Sequence, residues 1–274
     1  MIYSKEETAG LSEHTFHYIQ LKEDVNCLTI TINRPEKKNA MNPVMVNEMA
    51  YALSYAHHQP SVWAVVIDAN GDVFSAGADL KAFAGMSQEE HSSTIPEPKE
   101  EVLIAELFTQ LHKPCIAKVH APVFAGAFLI ICGCTHVVAA DTATFALPEV
   151  KRGIWPMQVM QSLIEILPAR TALDLCMRGT TLSCSDALEL GLVTSMADAK
   201  ELDNTVDALV EEIKSNSPSA IRNGLKAYDQ LRSIADDEKQ AYLKKMLFEV
   251  LGTADAAEGI AAFREKRKPN WSGK

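Results

Sequence analysis

Nothing in this chain is spaced like a zinc ligand set. The six cysteines are Cys27, Cys115, Cys132, Cys134, Cys176 and Cys184; no two form CxxC, and Cys132-Gly133-Cys134 alone is too lean to hold a metal. They lie mostly inside apolar runs and read as reduced, buried thiols, so no metal site is expected. A basic excess is also missing. Lys and Arg number 26 against 36 Asp and Glu, a formal charge of −10, which argues against a general nucleic-acid surface but leaves local Lys/Arg clusters for an anionic ligand. The longest apolar run, 121–134, is too short to span a bilayer, so no membrane partner is expected. The opening Met1-Ile2-Tyr3-Ser4-Lys5-Glu6-Glu7 has acidic residues and no apolar leader, which points to a cytoplasmic protein. No exact repeat and no low-complexity tract occur outside a polar Ser/Glu/Pro segment over 86–99, read as a mobile loop.

What is present is material for one large core: 274 residues, 47% hydrophobic and 23% charged. Residues 25–33 alternate in part and read as a strand; 62–68 is a wholly apolar one; 115–119 and 137–140 are two more. Asn42-Pro43 opens a helix, with Asn as cap and Pro at the first helical position. A second helix is read over 100–111. Beyond Glu149 the pattern turns helical, over 156–167, 169–178, 185–190, 199–215, 217–234 and 237–251. Strands alternating with helices, followed mostly by helices, give an α/β class with a helical C-terminal part. The lead over 1–14 is expected to fray.

Three segments carry chemistry. In Ala76-Gly77-Ala78-Asp79, small residues let the backbone approach a ligand closely, and a helix opening at Asp79 or Leu80 would turn the Ala78 N–H outward. In Ala125-Gly126-Ala127, at the head of an apolar helix, the first N–H groups lack intrahelical acceptors, and Gly126 would supply a second donor. Two such donors on one carbonyl oxygen make an oxyanion hole, each worth roughly 2.7–4 kcal/mol in the transition state. Each segment also has a plainer reading, a tight turn and a close helix contact. The third segment is Leu147-Pro148-Glu149-Val150, whose carboxylate is either a proton shuttle or a solvated loop residue.

Taken in order, Asn33-Arg34-Pro35 with Lys38-Asn39-Ala40, Phe74-Ser75-Ala76-Gly77-Ala78-Asp79-Leu80, Lys113-Pro114, Phe145-Ala146-Leu147-Pro148-Glu149-Val150 and Gly191-Leu192-Val193 resemble the crotonase superfamily, the enoyl-CoA hydratase/isomerase family. The tail over 258–268 continues the likeness, which runs from about residue 15 to the end. The resemblance implies a crotonase fold of repeated ββα turns over 1–198, a helical trimerisation region over 199–274, and a homotrimer or dimer of trimers. It implies an acyl-CoA thioester substrate, with coenzyme A part of that substrate and no separate cofactor. The enolate would be stabilised by the N–H groups of Ala78 and Gly126, with Glu149 as acid/base. Lys37 or Lys38, the backbone at Ala76, and Phe263 and Lys266 would hold the CoA moiety.

The departures from that pattern are informative. Where hydratases of the family carry a first catalytic Glu, this chain has Leu129, which holds no proton. His120-Ala121-Pro122 replaces an Asn-Gly-aromatic, and Gly153-Ile154-Trp155-Pro156-Met157 replaces a Gly-rich stretch, with Trp155 reshaping the acyl pocket. Leu at the first position with Glu at the second resembles the Δ3,Δ2-enoyl-CoA isomerases, whose 1,3-proton shift needs one base and no water. Double-bond isomerisation is therefore the leading expectation. A hydratase, with His120 or the 86–99 segment handling water, and a non-catalytic acyl-CoA-binding protein are the rivals.

Overall fold

A computed structural model describes residues 1–83, 85–86 and 93–274. The chain begins with strands β1 (Ile19–Asp24) and β2 (Cys27–Ile32), helix α1 (Pro43–His58), β3 (Ala64–Ala69), and the short helices α2 (Leu80–Phe83) and α3 (Ile104–Thr109). There follow β4 (Cys115–Val119), β5 (Val123–Phe124), α4 (Phe128–Gly133), β6 (His136–Ala140) and β7 (Thr144–Ala146). Then α5 (Met157–Ile166), α6 (Ala169–Arg178), β8 (Thr181–Ser183), α7 (Cys184–Leu190) and β9 (Ser195–Ala197) lead into α8 (Leu202–Lys214), α9 (Pro218–Gln230), α10 (Lys239–Leu251) and α11 (Ala254–Glu265).

One sheet runs β1-β2-β3-β4-β6-β9 and is parallel except for the β1–β2 pair. A smaller sheet, β5-β7-β8, is prolonged by single bridges from Ser75 to Val123 and from Met41 to Ala78. The chain thus repeats one unit: a strand in the large sheet, a short stretch in the small one, then a helix. The β2–Met41–α1, β3–Ser75–α2, β4–β5–α4 and β6–β7–α5 segments are successive turns of this spiral, as the resemblance implies.

Alternation along β3 shows why its sequence is apolar throughout. Val65 and Ile67 enter the main core with α1, while Ala64 and Val66 meet Leu202, Val206 and Val210 of α8 on the opposite face. A parallel strand covered on both sides reads as a continuous hydrophobic run. Lys118 of β4 fastens α8 at the rim, 2.7 Å from Asp68 and 2.8 Å from Asp203.

Helix α1 opens as its sequence indicates: Asn42 Oδ1 accepts from Met45 N at 2.8 Å, with Pro43 at the first position. Its residues from Met45 to Ala56 are all buried. At its far end Lys113 is enclosed, and its Nζ donates to the carbonyls of Ala56 and Gln59. Those are orphan acceptors of a helix terminus. Burial pulls Lys113 down to about 7.

Several expectations are corrected. The N-terminal lead does not fray. Tyr3 is 2% exposed, its hydroxyl lies between Asn47 Oδ1 and the Pro96 carbonyl, and Tyr51 OH donates to the Glu7 carbonyl at 2.8 Å. Aromatic burial over α1 outweighs the loss of chain freedom there. Of the polar segment read as mobile, residues 87–92 lie outside the described residues. Its second half is tied down: Thr15 N donates to Thr94 Oγ1 at 2.9 Å and Ile95 is buried. The helix expected over 100–111 is only Ile104–Thr109, because Leu103 has extended backbone. The apolar helix expected from Ala125 begins with a 3-10 turn over Ala125–Ala127 before α4. Strands β1, β5, β7, β8 and β9 and helix α11 escaped a periodicity reading, four of those strands being three residues or shorter or, like β1, polar on one side.

Candidate active site

The backbone at Ala78 is held from one side. Met41 N donates to the Gly77 carbonyl at 2.8 Å, and Asp79 N donates to the Met41 carbonyl at 2.8 Å. In such a parallel bridge the flanking peptide groups serve Met41, so the N–H of Ala78 is directed the other way. There it meets Gly126. A methyl placed on Gly126 would sit 3.3 Å from Ala78 N, and one on Gly77 would sit 2.6 Å from Gly126 N. The two amides therefore lie close together, and Gly77, at φ +88°, could not carry a side chain without parting them. Ala125 just before Gly126 adopts φ +53°, an unfavourable left-handed conformation for a residue with a Cβ. It turns the chain from β5 into the 3-10 turn that aims the Gly126 N–H.

A polar network fixes this loop from beneath. Arg34 is 1% exposed; its Nη1 donates to the Ala40 carbonyl at 2.7 Å and pairs with Asp79 at 3.0 Å. Asn39 accepts from Arg34 N and donates to the carbonyls of Asn70 and Val73. Ser75 Oγ donates to the Asn39 carbonyl and accepts from Gly77 N. Asp79 Oδ1 also accepts from Ala82 N, capping α2. Burial would raise the Asp79 pKa, but Arg34 and the neighbouring backbone N–H groups bring it below the usual carboxylate range.

Glu149 arrives from the fourth turn of the spiral, on a 3-10 turn over Pro148–Arg152 that Gly153 ends at φ +75°. Ala78, Gly126 and Glu149 all line one cavity of about 550 Å³, together with Leu129, Trp155, Glu101 and Arg152. Glu149 is half-buried, and its Oε2 is enclosed with no hydrogen-bond partner among the described residues. Burial raises its pKa, offset in part by its own backbone N–H and by the charge of Arg152. A carboxyl of that kind is suited to exchanging protons near neutral pH. Leu129, 7% exposed, presents hydrocarbon to the same cavity.

The other candidates fall differently. Ala76 lines the cavity, and its N–H donates to the Lys38 carbonyl at 2.9 Å, which brings the Lys38 backbone alongside. Lys37 and Lys38 are exposed on the turn after β2 and are not among the lining residues. Phe263, 86% exposed, and Lys266, the C-cap of α11, are not among them either. His120 is engaged elsewhere: its Nε2 lies 2.7 Å from the Gly71 carbonyl, and it does not border the cavity. Glu101 and Arg152 were missed. For Arg152 a signal existed, since it stands three residues after Glu149 on a short turn. For Glu101 there was none.

Comparison with known proteins identifies the family and the fold. The profile of the enoyl-CoA hydratase/isomerase family matches residues 22–274. Carnitinyl-CoA dehydratase of Escherichia coli O157:H7 is 31% identical over 262 residues, covering 93% of this chain and 98% of that one. Mevalonyl-coenzyme A hydratase of Aspergillus fumigatus is 29% identical over 248 residues, 89% and 90% of the two chains. The crystal structure of enoyl-CoA hydratase from Mycobacterium tuberculosis superimposes with a TM-score of 0.82 at 31% identity, covering 94% of this chain and 99% of that one. With the family profile spanning nearly its whole length and the spiral of ββα turns in place, this chain is an enzyme of the enoyl-CoA hydratase/isomerase family and has the crotonase fold.

Proposed function

We propose that the protein shifts a double bond in an enoyl-CoA thioester, with Glu149 as its single acid/base. The observation that carries this reading is the presence, on one cavity, of two neighbouring amides, the enclosed carboxyl of Glu149 and the hydrocarbon of Leu129. The thioester oxygen would accept from the N–H groups of Ala78 and Gly126. Glu149 removes a proton from C2 of a 3-enoyl thioester, and the electron pair moves through the carbonyl to the oxygen as an enolate. That charge is what the amides stabilise, and they do so more strongly than in the ground state. The double bond re-forms between C2 and C3 as Glu149 returns its proton to C4. No water is consumed. Exposed Leu247, Phe248 and Leu251 on α10, with Ile260 and Phe263 on α11, support assembly of the C-terminal helices into a trimer or a dimer of trimers.

Hydration is the second reading. Glu101 borders the cavity and would supply a second carboxylate to hold water, and the solved relative from Mycobacterium tuberculosis is an enoyl-CoA hydratase. One experiment separates the two. Supplied with 3-hexenoyl-CoA, an isomerase makes the conjugated-thioester absorbance appear; supplied with crotonyl-CoA, a hydratase makes it vanish. Glu149→Gln should abolish the first signal, and equal rates for wild type and variant would sink the proposal.

A further inference from the structure

Arg152 belongs to the cavity but has no part in the proton shift. On the 3-10 turn Pro148–Arg152 it stands at i+3 from Glu149, and side chains at that spacing eclipse one another. Val150 and Lys151 point elsewhere: Val150 Cγ1 and Lys151 Cε both lie 3.3 Å from where a methyl on Gly179 would sit, at the end of α6. Glu149 and Arg152 border the cavity. Among the described residues no carboxylate lies within 4.0 Å of its guanidinium. Of the other side-chain donors on the lining, Trp155 Nε1 is spent on Met160 Sδ at 3.4 Å and the Gln158 amide carries no charge. Ile154, Met157, Leu80 and Phe83 contribute hydrocarbon to the same lining.

Arg152 is exposed at the rim of the cavity and keeps its contact with water, so a carboxylate on a bound acyl group would meet a cation that no other carboxylate among the described residues already holds. A planar fork of donors matches a carboxylate in two parallel hydrogen bonds. We infer that the cavity selects a CoA thioester whose acyl group carries a second carboxylate, seated on Arg152. The inference rests on the reading of this cavity as the acyl-CoA site and adds the substrate class. It also fits the acid/base: a carboxylate on Arg152 offsets the charge that draws the Glu149 pKa down, leaving burial to set it. Glu101 is the opposing feature, a carboxylate on the same lining that repels an anionic acyl group or competes for Arg152.

The test uses two unreactive thioesters of equal chain length, glutaryl-CoA and pentanoyl-CoA, titrated calorimetrically into the whole protein. Wild type should bind glutaryl-CoA about tenfold or more tightly than pentanoyl-CoA, as one charge-assisted contact requires. Arg152→Gln should bring that ratio to about one, and Glu101→Gln should widen it. Arg152 is exposed, so its replacement is not expected to unfold the chain. Equal binding by wild type, or a preference that survives Arg152→Gln, overturns the inference while the acyl-CoA reading stands. If neither thioester binds, the reading of the cavity fails and the inference falls with it.

Discussion

The carboxylate of Asp79 lies 3.0 Å from the buried guanidinium of Arg34, across 45 residues of sequence. That contact joins the turn after β2 to the start of α2, and Ala78 sits directly between the bridge to Met41 and this ion pair. Asp79→Asn keeps the shape but removes a carboxylate paired with a buried cation. A loss of about 2–3 kcal/mol is expected in urea unfolding, together with a fall of tenfold or more in kcat/KM on a 3-enoyl-CoA as the Ala78 amide drifts. The Asp79 pKa is depressed on folding, so its stabilisation is complete above the ordinary carboxylate range and is lost as pH falls through the lowered value. The variant should lack that portion of acid sensitivity, which unfolding curves at several acidic pH values will show.

Two glycines at positive φ should respond differently to the same change. Gly77, at φ +88°, has Gly126 N only 2.6 Å from the position of a methyl, whereas Gly191, at φ +85°, has open space around it. Gly191→Ala is expected to lose about 1 kcal/mol from conformation alone. Gly77→Ala adds the collision and separates the paired amides, so kcat should drop on the order of 100-fold or more. Thermal melts and single-turnover rates on both variants check the contrast; similar activity loss in the two would contradict the geometry.

Ala125 holds a left-handed backbone at φ +53° that glycine adopts freely. Ala125→Gly should stabilise the fold by up to about 1 kcal/mol, and Ala125→Val should destabilise it by more than that. Chemical denaturation of the two variants beside wild type is sufficient to show the opposite signs.

Glu149 is predicted to work against stability. Its pKa is raised on folding, by burial first, so between the unfolded and folded values the native state binds the extra proton. Stability therefore declines as pH rises through that window, and the full penalty remains at neutral pH. Glu149→Gln should melt at a higher temperature than wild type at pH 7 while losing 100-fold or more in rate. The wild-type rate should fall on acidification at a pH above the ordinary Glu range, as the base takes up its proton.

Leu129→Glu adds a carboxylate, at the buried position of Leu129, to a cavity wall that already carries Glu149 and Glu101. Burying it beside Glu149 should cost a few kcal/mol, and the two acids will share protons over a widened pH range. If water activation is what this site lacks, hydration of crotonyl-CoA should rise at least tenfold. An unchanged hydration rate in a folded variant would show that Leu129 does not govern the outcome.

Local chemistry alone settled a good deal. The Asn42-Pro43 cap of α1, the two-faced burial of β3 and the loop glycine at Gly77 follow from side-chain shape and hydrogen-bonding needs over a few residues, and the linear text carries them. The small sheet was not legible, because strands of two or three residues have no measurable period and exist only through their partners. The same holds for the docking of Tyr3 on α1. Within the site, the Ala78 and Gly126 segments and Glu149 could be named from sequence, but their convergence could not: it depends on three turns of the spiral bringing distant amides and one acid to a single cavity. Glu101 entered only there, since a charge on an exposed segment looks like any other until the fold decides which void it borders, whereas Arg152 could have been suspected from its place three residues after Glu149.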